Sequence, residues 1–309
     1  MPTQTTIIQE ARIASAPMVN NLLVNPGFEI WQRGVGTFNS TTSPIIYTAD
    51  EWGIGTTLGS GGMVDRDTSA LFGNYCAKMS IPVSGSGLYL QQGVESYKGL
   101  EGKWVTFSVW IKSQHEGIHV YILDSINVGG AEASGSSPYS TPGEWQQLTV
   151  TRQIRTGLVS GTPGMCHGYG VSVSISPYNV PTGTEVFVDG AALVEGYYPE
   201  GVSYAPLNPA EDQERCQRFY QHGDVSLEYG NTAIYSRYVV TGSQYWANLW
   251  FPTSMQAVPT VTLVNGSNAG FSTAVGTVQA GLKGFKEYRT CNLTSNAGFF
   301  YSYWTAEIT

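Results

Sequence analysis

The chain has 309 residues, of which 41% are hydrophobic and only 12% charged, and its formal net charge is −8. This length favours two domains, and the negative charge argues against binding to nucleic acid or to an anionic membrane through a basic surface. The 37 glycines, 19 tyrosines and 8 tryptophans indicate short strands separated by turns rather than a helical or disordered chain. The sequence has no apolar run long enough to predict a membrane-spanning helix.

Residues 1–20 are polar and weakly patterned, which predicts a flexible arm that becomes ordered only against a partner. They lack the basic start and the apolar stretch of a signal peptide. From residue 21 the chain reads Asn-Leu-Leu-Val-Asn-Pro-Gly-Phe-Glu-Ile-Trp-Gln-Arg-Gly. The proline and glycine predict a turn. The alternation that follows predicts a strand with Glu29 and Trp31 on one face.

Residues 21–206 contain about eight segments with the alternation typical of β-strands. The clearest of them are 75–81, 88–92, 104–112, 120–123, 145–150, 170–175 and 185–195. We expect the 120–123 segment to form a hairpin with the 104–112 segment. Because no helical pattern separates these strands, they predict an antiparallel sandwich.

One helix is predicted at residues 207–222, because Asn208 can cap it, Pro209 suits its first position and acidic residues follow. Residues 223–309 again alternate as strands. A domain of roughly 85 residues is small for a free-standing sandwich, and aromatic residues fall on both faces of its strands. We therefore expect it to associate with identical copies of the chain.

Sequence motifs occur in a fixed order along the first two thirds of the chain. Asn-Pro-Gly-Phe-Glu and Trp-Gln-Arg-Gly come first, followed by Ala-Asp-Glu-Trp at 49–52. Leu-Glu-Gly-Lys-Trp-Val-Thr-Phe-Ser-Val-Trp-Ile-Lys lies at 100–112 and Val-Asp-Gly-Ala-Ala-Leu-Val-Glu-Gly at 188–196. Together they resemble carbohydrate-binding jelly-roll modules of the galactose-binding-like fold, in the variant found in bacteriophage tail fibre and spike proteins. Glu-Arg-Cys-Gln-Arg-Phe-Tyr at 214–220 resembles the same proteins, in which a helix links the jelly roll to a small β domain.

The resemblance implies an all-β protein in four parts. These are an attachment arm at 1–20, an antiparallel jelly-roll sandwich at 21–206, a linking helix at 207–222 and a small oligomerising β-sandwich domain at 223–309. By analogy with fibres, the implied oligomer is a homotrimer, and the arm would bind other virion proteins.

Aromatic side chains are the leading candidates for function, because aromatic rings can stack on the apolar faces of sugars while amides hydrogen-bond the hydroxyl groups. The resemblance implies that the ligand lies across a sheet or at the loop tips of the jelly roll. The candidate carbohydrate-binding residues are Trp31, Trp52, Tyr89, Gln91, Trp110 and Tyr121, with Gln92 beside them. The alternative is that these aromatic residues pack in the core or at an interface.

A structural calcium ion is also implied by the resemblance, bridging the first and last strands through oxygen ligands. Glu29 and Asp189 are the residues at the matching positions. The family more often has a second acidic residue where this chain has Gly190. Glu29 is equally explained as a solvated carboxylate close to Arg33.

Sequence patterns typical of catalytic sites have less support than the binding residues above. His115-Glu116-Gly117-Ile118-His119 matches a zinc-protease pattern, but it lies between two predicted strands, and on a strand two histidines four residues apart are about 13 Å from each other. Six acidic residues could include a glycosidase pair, which requires a defined separation that the sequence does not show; they are Asp50, Glu51, Asp65, Asp67, Glu95 and Glu101. No cysteines form a Cys-x-x-Cys pair.

These observations predict a non-enzymatic bacteriophage virion appendage protein that adheres to host surface polysaccharide and is exposed on the particle. One alternative is a purely structural virion protein, such as a head decoration, collar or adaptor, that binds no glycan. The other is a jelly-roll glycan hydrolase.

Overall fold

The computed structural model describes residues 20–40, 45–56, 61–83, 87–127, 131–160, 169–229, 244–269, 279–290 and 298–308. The predicted arm lies outside these residues except for Asn20. The chain divides into two compact units, Met1–Asp212 and Gln213–Thr309. The fold is all-β with antiparallel sheets, and the described ranges contain one short α-helix. No helix within the described ranges has the length and apolarity needed to span a membrane.

The first unit is an antiparallel jelly-roll sandwich of two six-stranded sheets. Its strands are β1 (Phe38–Ser40), β2 (Ile46–Tyr47), β3 (Gly53–Thr56), β4 (Gly62–Asp67), β5 (Cys76–Ile81), β6 (Leu88–Gly93), β7 (Trp104–Ser113), β8 (Ile118–Ser125), β9 (Ala131–Gly135), β10 (Gln146–Gln153), β11 (Val171–Pro177) and β12 (Thr184–Glu195). The first sheet has the order β1-β4-β5-β12-β7-β10, and the second has the order β2-β3-β6-β11-β8-β9.

The hydrophobic core lies between these two sheets. Alternate residues of β7, from Val105 to Ile111, are fully buried on its inner face, as the sequence pattern predicts. Ile118, Val120 and Ile122 of β8 form the corresponding inner face of the second sheet. Burial of apolar side chains on both facing surfaces supplies the main free energy that holds the sandwich together.

The predicted hairpin between 104–112 and 120–123 is wrong. β7 pairs with β10 and β12 in the first sheet, whereas β8 pairs with β9 and β11 in the second. Both strands have a fully apolar face, and placing them in opposite sheets buries each face against the other. The connection between them turns at Gly117, which has φ of 89°.

The segment after Asn21 is irregular and is not the predicted strand. Asn25 and Phe28 have φ of 47° and 55°, values outside the β region. The segment is fixed by contacts with distant parts of the chain; for example, the Leu22 N–H donates to the carbonyl oxygen of Leu193 at 2.8 Å. As a result Phe28 and Trp31 both enter the core instead of alternating.

The helix α1 (Pro209–Gln217) is shorter than the predicted 207–222. Its start agrees with the prediction, since Asn208 Oδ1 accepts the Ala210 N–H at 3.0 Å as an N-cap. Tyr220 instead begins a strand, where it pairs with Glu307. The division between the two units falls within α1, after Asp212, whose Oδ1 accepts the Asn25 N–H at 3.0 Å.

The second unit contains two three-stranded antiparallel sheets, in the orders β13-β18-β15 and β14-β17-β16. The strands are β13 (Tyr220–Tyr229), β14 (Gln244–Trp250), β15 (Thr260–Ala269), β16 (Gln279–Gly281), β17 (Gly284–Thr290) and β18 (Gly298–Glu307). The core among its described side chains consists of Phe251, Met255, Phe285, Trp304 and Ala306.

Candidate functional site

The motifs near the N-terminus form a buried structural junction. The Trp52 indole Nε1 donates to the carbonyl oxygen of Asn25 at 3.0 Å, and the Trp52 ring packs 4.7 Å from that of Phe28. Trp31 Nε1 donates to the carbonyl oxygen of Phe28 at 2.6 Å. Trp31 and Trp52 are 7% and 0% exposed. Neither ring presents a face to solvent, so neither can act as a sugar platform in this structure.

Asp50 closes this junction. Its carboxylate accepts hydrogen bonds from the backbone N–H and the side-chain amide of Gln32, and Arg33 Nη1 lies 3.4 Å from Asp50 Oδ1. Burial raises the pKa of Asp50 to about 7, although Arg33 and Gln32 act in the opposite direction. Asp50 is therefore occupied by internal contacts, and its side chain is fully buried.

Trp110 is also buried, at 6% exposure, although it lies on the outer face of the first sheet. Phe72 packs edge-on against it, with a centroid separation of 6.1 Å, and Tyr204 packs 5.0 Å beyond Phe72. The segment 196–206 covers the neighbouring part of the same face, where the Val202 N–H donates to Ser108 Oγ at 3.1 Å. The protein thus covers this surface with its own chain, and Trp110 is unavailable as a platform.

Glu29 binds the loop that follows β4. Its Oε1 accepts the backbone N–H groups of Asn74 and Tyr75 at 2.6 and 3.0 Å. Gly73 lies so close that a Cβ atom there would be 2.2 Å from Oε1. The Glu29 carboxylate therefore accepts hydrogen bonds from the backbone of this loop.

Asp189 binds the same loop from the last strand of the first unit. Its Oδ2 accepts the N–H groups of Leu71 and Phe72 at 2.7 and 2.8 Å, and its Oδ1 accepts that of Gly190 at 2.7 Å. Burial raises the pKa of Asp189 to about 7, against the effect of these three hydrogen bonds.

These contacts do not fit the implied calcium ion. Calcium takes oxygen ligands, whereas the loop presents N–H donors to both Glu29 and Asp189. Within the described part of the chain, no group of three His, Cys, Asp or Glu side chains could hold a metal. Gly190 has φ of 56°, and a Cβ atom there would lie 2.6 Å from the Phe72 ring. This explains why the chain has glycine at the position where the family more often has a second acidic residue.

The outer face of the second sheet brings the remaining candidates together. The register places Gly53, Gln91, Ser174 and Tyr121 side by side across β3, β6, β11 and β8. Tyr89 is two residues before Gln91 on the same face, and both Tyr89 and Tyr121 are half-buried. Tyr89 and Tyr121 are on strands with one strand, β11, between them, so their backbones are about 10 Å apart across the sheet.

Glycines allow both tyrosine rings to lie against the sheet. A Cβ at Gly55 would lie 2.5 Å from Tyr89 Cζ, and a Cβ at Gly135 would lie 2.7 Å from Tyr121 Cε1. Each glycine is directly opposite its tyrosine in the register. The rings therefore lie over the neighbouring strands rather than standing upright from the sheet.

The amide residues differ in role. Gln91 Nε2 donates to Ser172 Oγ at 3.1 Å, and Gln91 is only 3% exposed, so it forms the covered floor of this face. Gln92 points to the other side, where it exchanges two 2.8 Å hydrogen bonds with the backbone of Val24. Gln92 is therefore a structural residue and does not join the site.

Three further aromatic residues on this face were missed by the sequence analysis. Tyr47 faces outward opposite Gly53, and the Arg33 guanidinium lies 5.1 Å from its ring centroid. His119 lies 6.1 Å from Tyr121, and Tyr178 is 64% exposed. Burial and the neighbouring Tyr178 hydroxyl raise the pKa of Tyr121. The alternation of β8 could have predicted that His119 lies on this face. Tyr178 lies just after the end of β11, where no alternation predicts the side of the sheet that it occupies.

His115 and Glu116 lie in the connection between β7 and β8, which is the strand–turn boundary predicted for this pentapeptide. His119 is on β8, where its Nδ1 lies 3.2 Å from the carbonyl oxygen of Ser136. This geometry differs from the helical arrangement of a zinc protease.

No protein-family model matches the sequence, and no curated protein matches it. Among solved structures, the chain is similar to a family 61 carbohydrate-binding module in complex with β-1,4-galactotriose, at 20% identity over 57% of this chain and 99% of that chain, with a TM-score of 0.33. It is similar to a family 22 xylan-binding domain at 12% identity over 62% and 100% of the two chains, with a TM-score of 0.39. It is also similar to the enzymatically active domain of tailspike protein 4 of bacteriophage CBA120, at 11% identity over 57% and 21%, with a TM-score of 0.35. Identities and TM-scores this low say nothing of the ligands of this chain.

Proposed function

We propose that the first unit binds a neutral polysaccharide through the outer face of its second sheet. The observation that carries this proposal is the arrangement of Tyr89 and Tyr121 on either side of β11, whose outward residues Ser172, Ser174 and Ser176 are small and polar. Aromatic rings combine an apolar face with a polar edge, which suits the mixed surface of a sugar. The first sheet offers no comparable surface around Trp110, because the protein's own segments cover it.

The absence of charged residues from the central strands of the second sheet supports a neutral ligand. The central strands β3, β6 and β11 read Gly-Ile-Gly-Thr, Leu-Tyr-Leu-Gln-Gln-Gly and Val-Ser-Val-Ser-Ile-Ser-Pro, without a charged residue. The Arg33 guanidinium beside Tyr47 is paired with the buried Asp50 at 3.4 Å. Arg152 and Arg155 both bind the buried Asp124 at 2.7–3.1 Å. An acidic polysaccharide would find no cation on the central strands.

The proposal extends to a non-catalytic adhesin in a bacteriophage virion appendage, exposed on the particle and directed at host surface polysaccharide. Its support is the resemblance of the sequence motifs to tail fibre and spike proteins. Association of identical chains, as a homotrimer, is supported by Trp250, which is 76% exposed. Several weak sites on one oligomer would then act together on a repetitive glycan.

The second candidate is a purely structural virion protein. The burial of Trp31, Trp52 and Trp110 favours it, because these three rings serve packing alone. The low exposure of Gln91 favours it as well. It predicts a well-folded oligomer that binds no glycan.

The test is a glycan array probed with the purified full chain and with Tyr121→Ala, Tyr178→Ala and Tyr75→Ala. Tyr75 is the matched control, because it is a half-buried tyrosine outside the second sheet, stacked 4.0 Å below Arg66. We expect the first two variants to lose the array signals of the wild type and the control to keep them. Retention of every signal in Tyr121→Ala, or release of reducing sugar from a bound glycan, would contradict the proposal.

A further inference from the structure

A second aromatic surface lies at the start of β7, outside the face described above. Trp104 and Tyr197 are 42% and 57% exposed. Together with Tyr178, they are the exposed aromatic side chains among the described residues of the first unit. Their ring centroids are 4.8 Å apart and their planes meet at 78°, so the two rings form an open corner.

The corner is held rigidly by the backbone. The Gly196 N–H donates to the carbonyl oxygen of Trp104 at 2.7 Å, and Thr106 Oγ1 donates to the carbonyl oxygen of Gly196 at 2.8 Å. The Tyr198 N–H in turn donates to Thr106 Oγ1 at 3.0 Å. Tyr197 therefore sits on a short turn fastened to β7, and little conformational entropy remains to be lost when a ligand binds.

Packing does not account for the exposure of these rings. Tyr198, the next residue, turns inward and packs on the buried cluster of Ala192, Val194 and Val202. Tyr197 turns outward instead and contributes its ring to the corner with Trp104. Leaving two large aromatic rings in water forgoes the free energy of burying them, which points to a role in binding.

Polar residues are close to the corner along the chain. Lys103 precedes Trp104, Glu195 is two residues before Tyr197, and Lys103 Nζ and Glu195 Oε2 form an exposed ion pair at 2.8 Å. Gln153 is opposite Trp104 in the register and donates through Nε2 to the carbonyl oxygen of Gly102 at 3.1 Å. An ammonium, a carboxylate and an amide can together donate to and accept from hydroxyl groups.

From this geometry we infer that the Trp104–Tyr197 corner is a second carbohydrate subsite, which takes one sugar ring of a neutral glycan. One aromatic ring stacks on the apolar face of the sugar, and the other forms a wall at its edge. The flanking ion pair is balanced, so the site carries no net charge to attract an ionic ligand. The subsite lies on the first sheet and is independent of Tyr89 and Tyr121 on the second. One chain would thus hold a glycan at two places.

The test uses an array of short neutral oligosaccharides of glucose, galactose, mannose, xylose and N-acetylglucosamine. The full chain is compared with Trp104→Ala and Tyr197→Ala, and Tyr75→Ala serves as the control because Tyr75 is a half-buried tyrosine that stacks on Arg66, outside both proposed sites. Removal of a binding aromatic residue weakens binding roughly tenfold or more. We expect that loss in both corner variants for at least one oligosaccharide, with no loss in the control.

Tryptophan fluorescence provides an independent measurement of binding at the corner. An oligosaccharide that binds at the corner should change the tryptophan emission of the wild type and leave that of Trp104→Phe unchanged. Unaltered array signals in both Trp104→Ala and Tyr197→Ala would overturn the subsite, as would a loss of oligomer in sedimentation when Trp104 is replaced. Tyr121→Ala removes the second-sheet site alone. It therefore distinguishes failure of the corner subsite from failure of the function proposed above. Absence of any signal for the wild type would overturn both.

Discussion

Replacement of Trp52 by alanine separates a packing role from a sugar-binding role. Trp52 is fully buried, stacks on Phe28 and donates to the carbonyl oxygen of Asn25. Trp→Ala in a core costs about 3–5 kcal/mol, and the cost here should be near the upper end because the Asn25 carbonyl also loses its donor. Trp52 directly precedes β3, but its ring is buried in the core and not exposed on the outer face proposed to bind glycan, so binding by the remaining folded protein should not change.

The assay is urea unfolding of the full chain, with attention to the transition of the first unit. A loss of about 4 kcal/mol lowers the midpoint by about 1.3–2 M at a slope of about 2–3 kcal/mol per M. Trp52→Phe is the matched variant, since it keeps most of the ring and loses the indole hydrogen bond, at a cost of about 1 kcal/mol besides a small cavity.

The opposite pattern would refute the reasoning. If Trp52→Ala kept the wild-type midpoint and lost glycan binding, Trp52 would be a platform, and the described junction would be incorrect. If Trp52→Phe and Trp52→Ala had equal midpoints, the aromatic packing against Phe28 would contribute little.

Three further predictions concern the acidic residues and the loop after β4. Because burial raises the pKa of Asp50 to about 7, above its unfolded value, the folded state binds the extra proton; stability of the first unit should therefore rise as pH falls from 8 to 5. Asp50→Asn should reduce that slope in thermal melts, and a Tm that rises with pH over this range would contradict the assignment. Gly190→Asp should destabilise the first unit by about 1–3 kcal/mol through overlap with Phe72, whereas Gly183→Asp, which also has positive φ but open space around it, should cost less; equal losses would mean that backbone strain alone acts. Dialysis against a chelator should leave the Tm unchanged, because the oxygens of Asp189 bind backbone N–H groups, and a Tm that falls and is restored by calcium would show that a cation occupies this place.

Strand positions could be read from the sequence because alternation is local. The run from Trp104 to Lys112 predicted β7, and its apolar side is the buried side. Strand pairing could not be read, because it depends on contacts between distant segments. β12 pairs with both β5 and β7. Nothing in the sequence of these three segments specifies which strands become neighbours.

The candidate site was less predictable, since exposure is a property of the folded chain. Trp110 alternates as an outward residue and does face outward, yet Phe72 and the 196–206 segment cover it. Trp31 was assigned to an exposed face through a strand that does not form, because Asn25 and Phe28 adopt positive φ. Tyr121 and Tyr89 were identified from their strands and do lie on one face.

The motifs that carry the family resemblance are occupied by internal contacts. Asn25 binds Trp52, Asp50 binds Gln32 and Arg33, and Asp189 binds the loop after β4. Side chains already committed to hydrogen bonds inside the protein cannot also select a ligand without loss of stability. These committed residues therefore maintain the sandwich fold, and any sugar specificity has to arise from other residues. On the second sheet these are the tyrosines that lie over glycines, and on the first they are the corner of Trp104 and Tyr197. A related chain with the same motifs but different residues at these positions should share the fold and bind a different ligand or none.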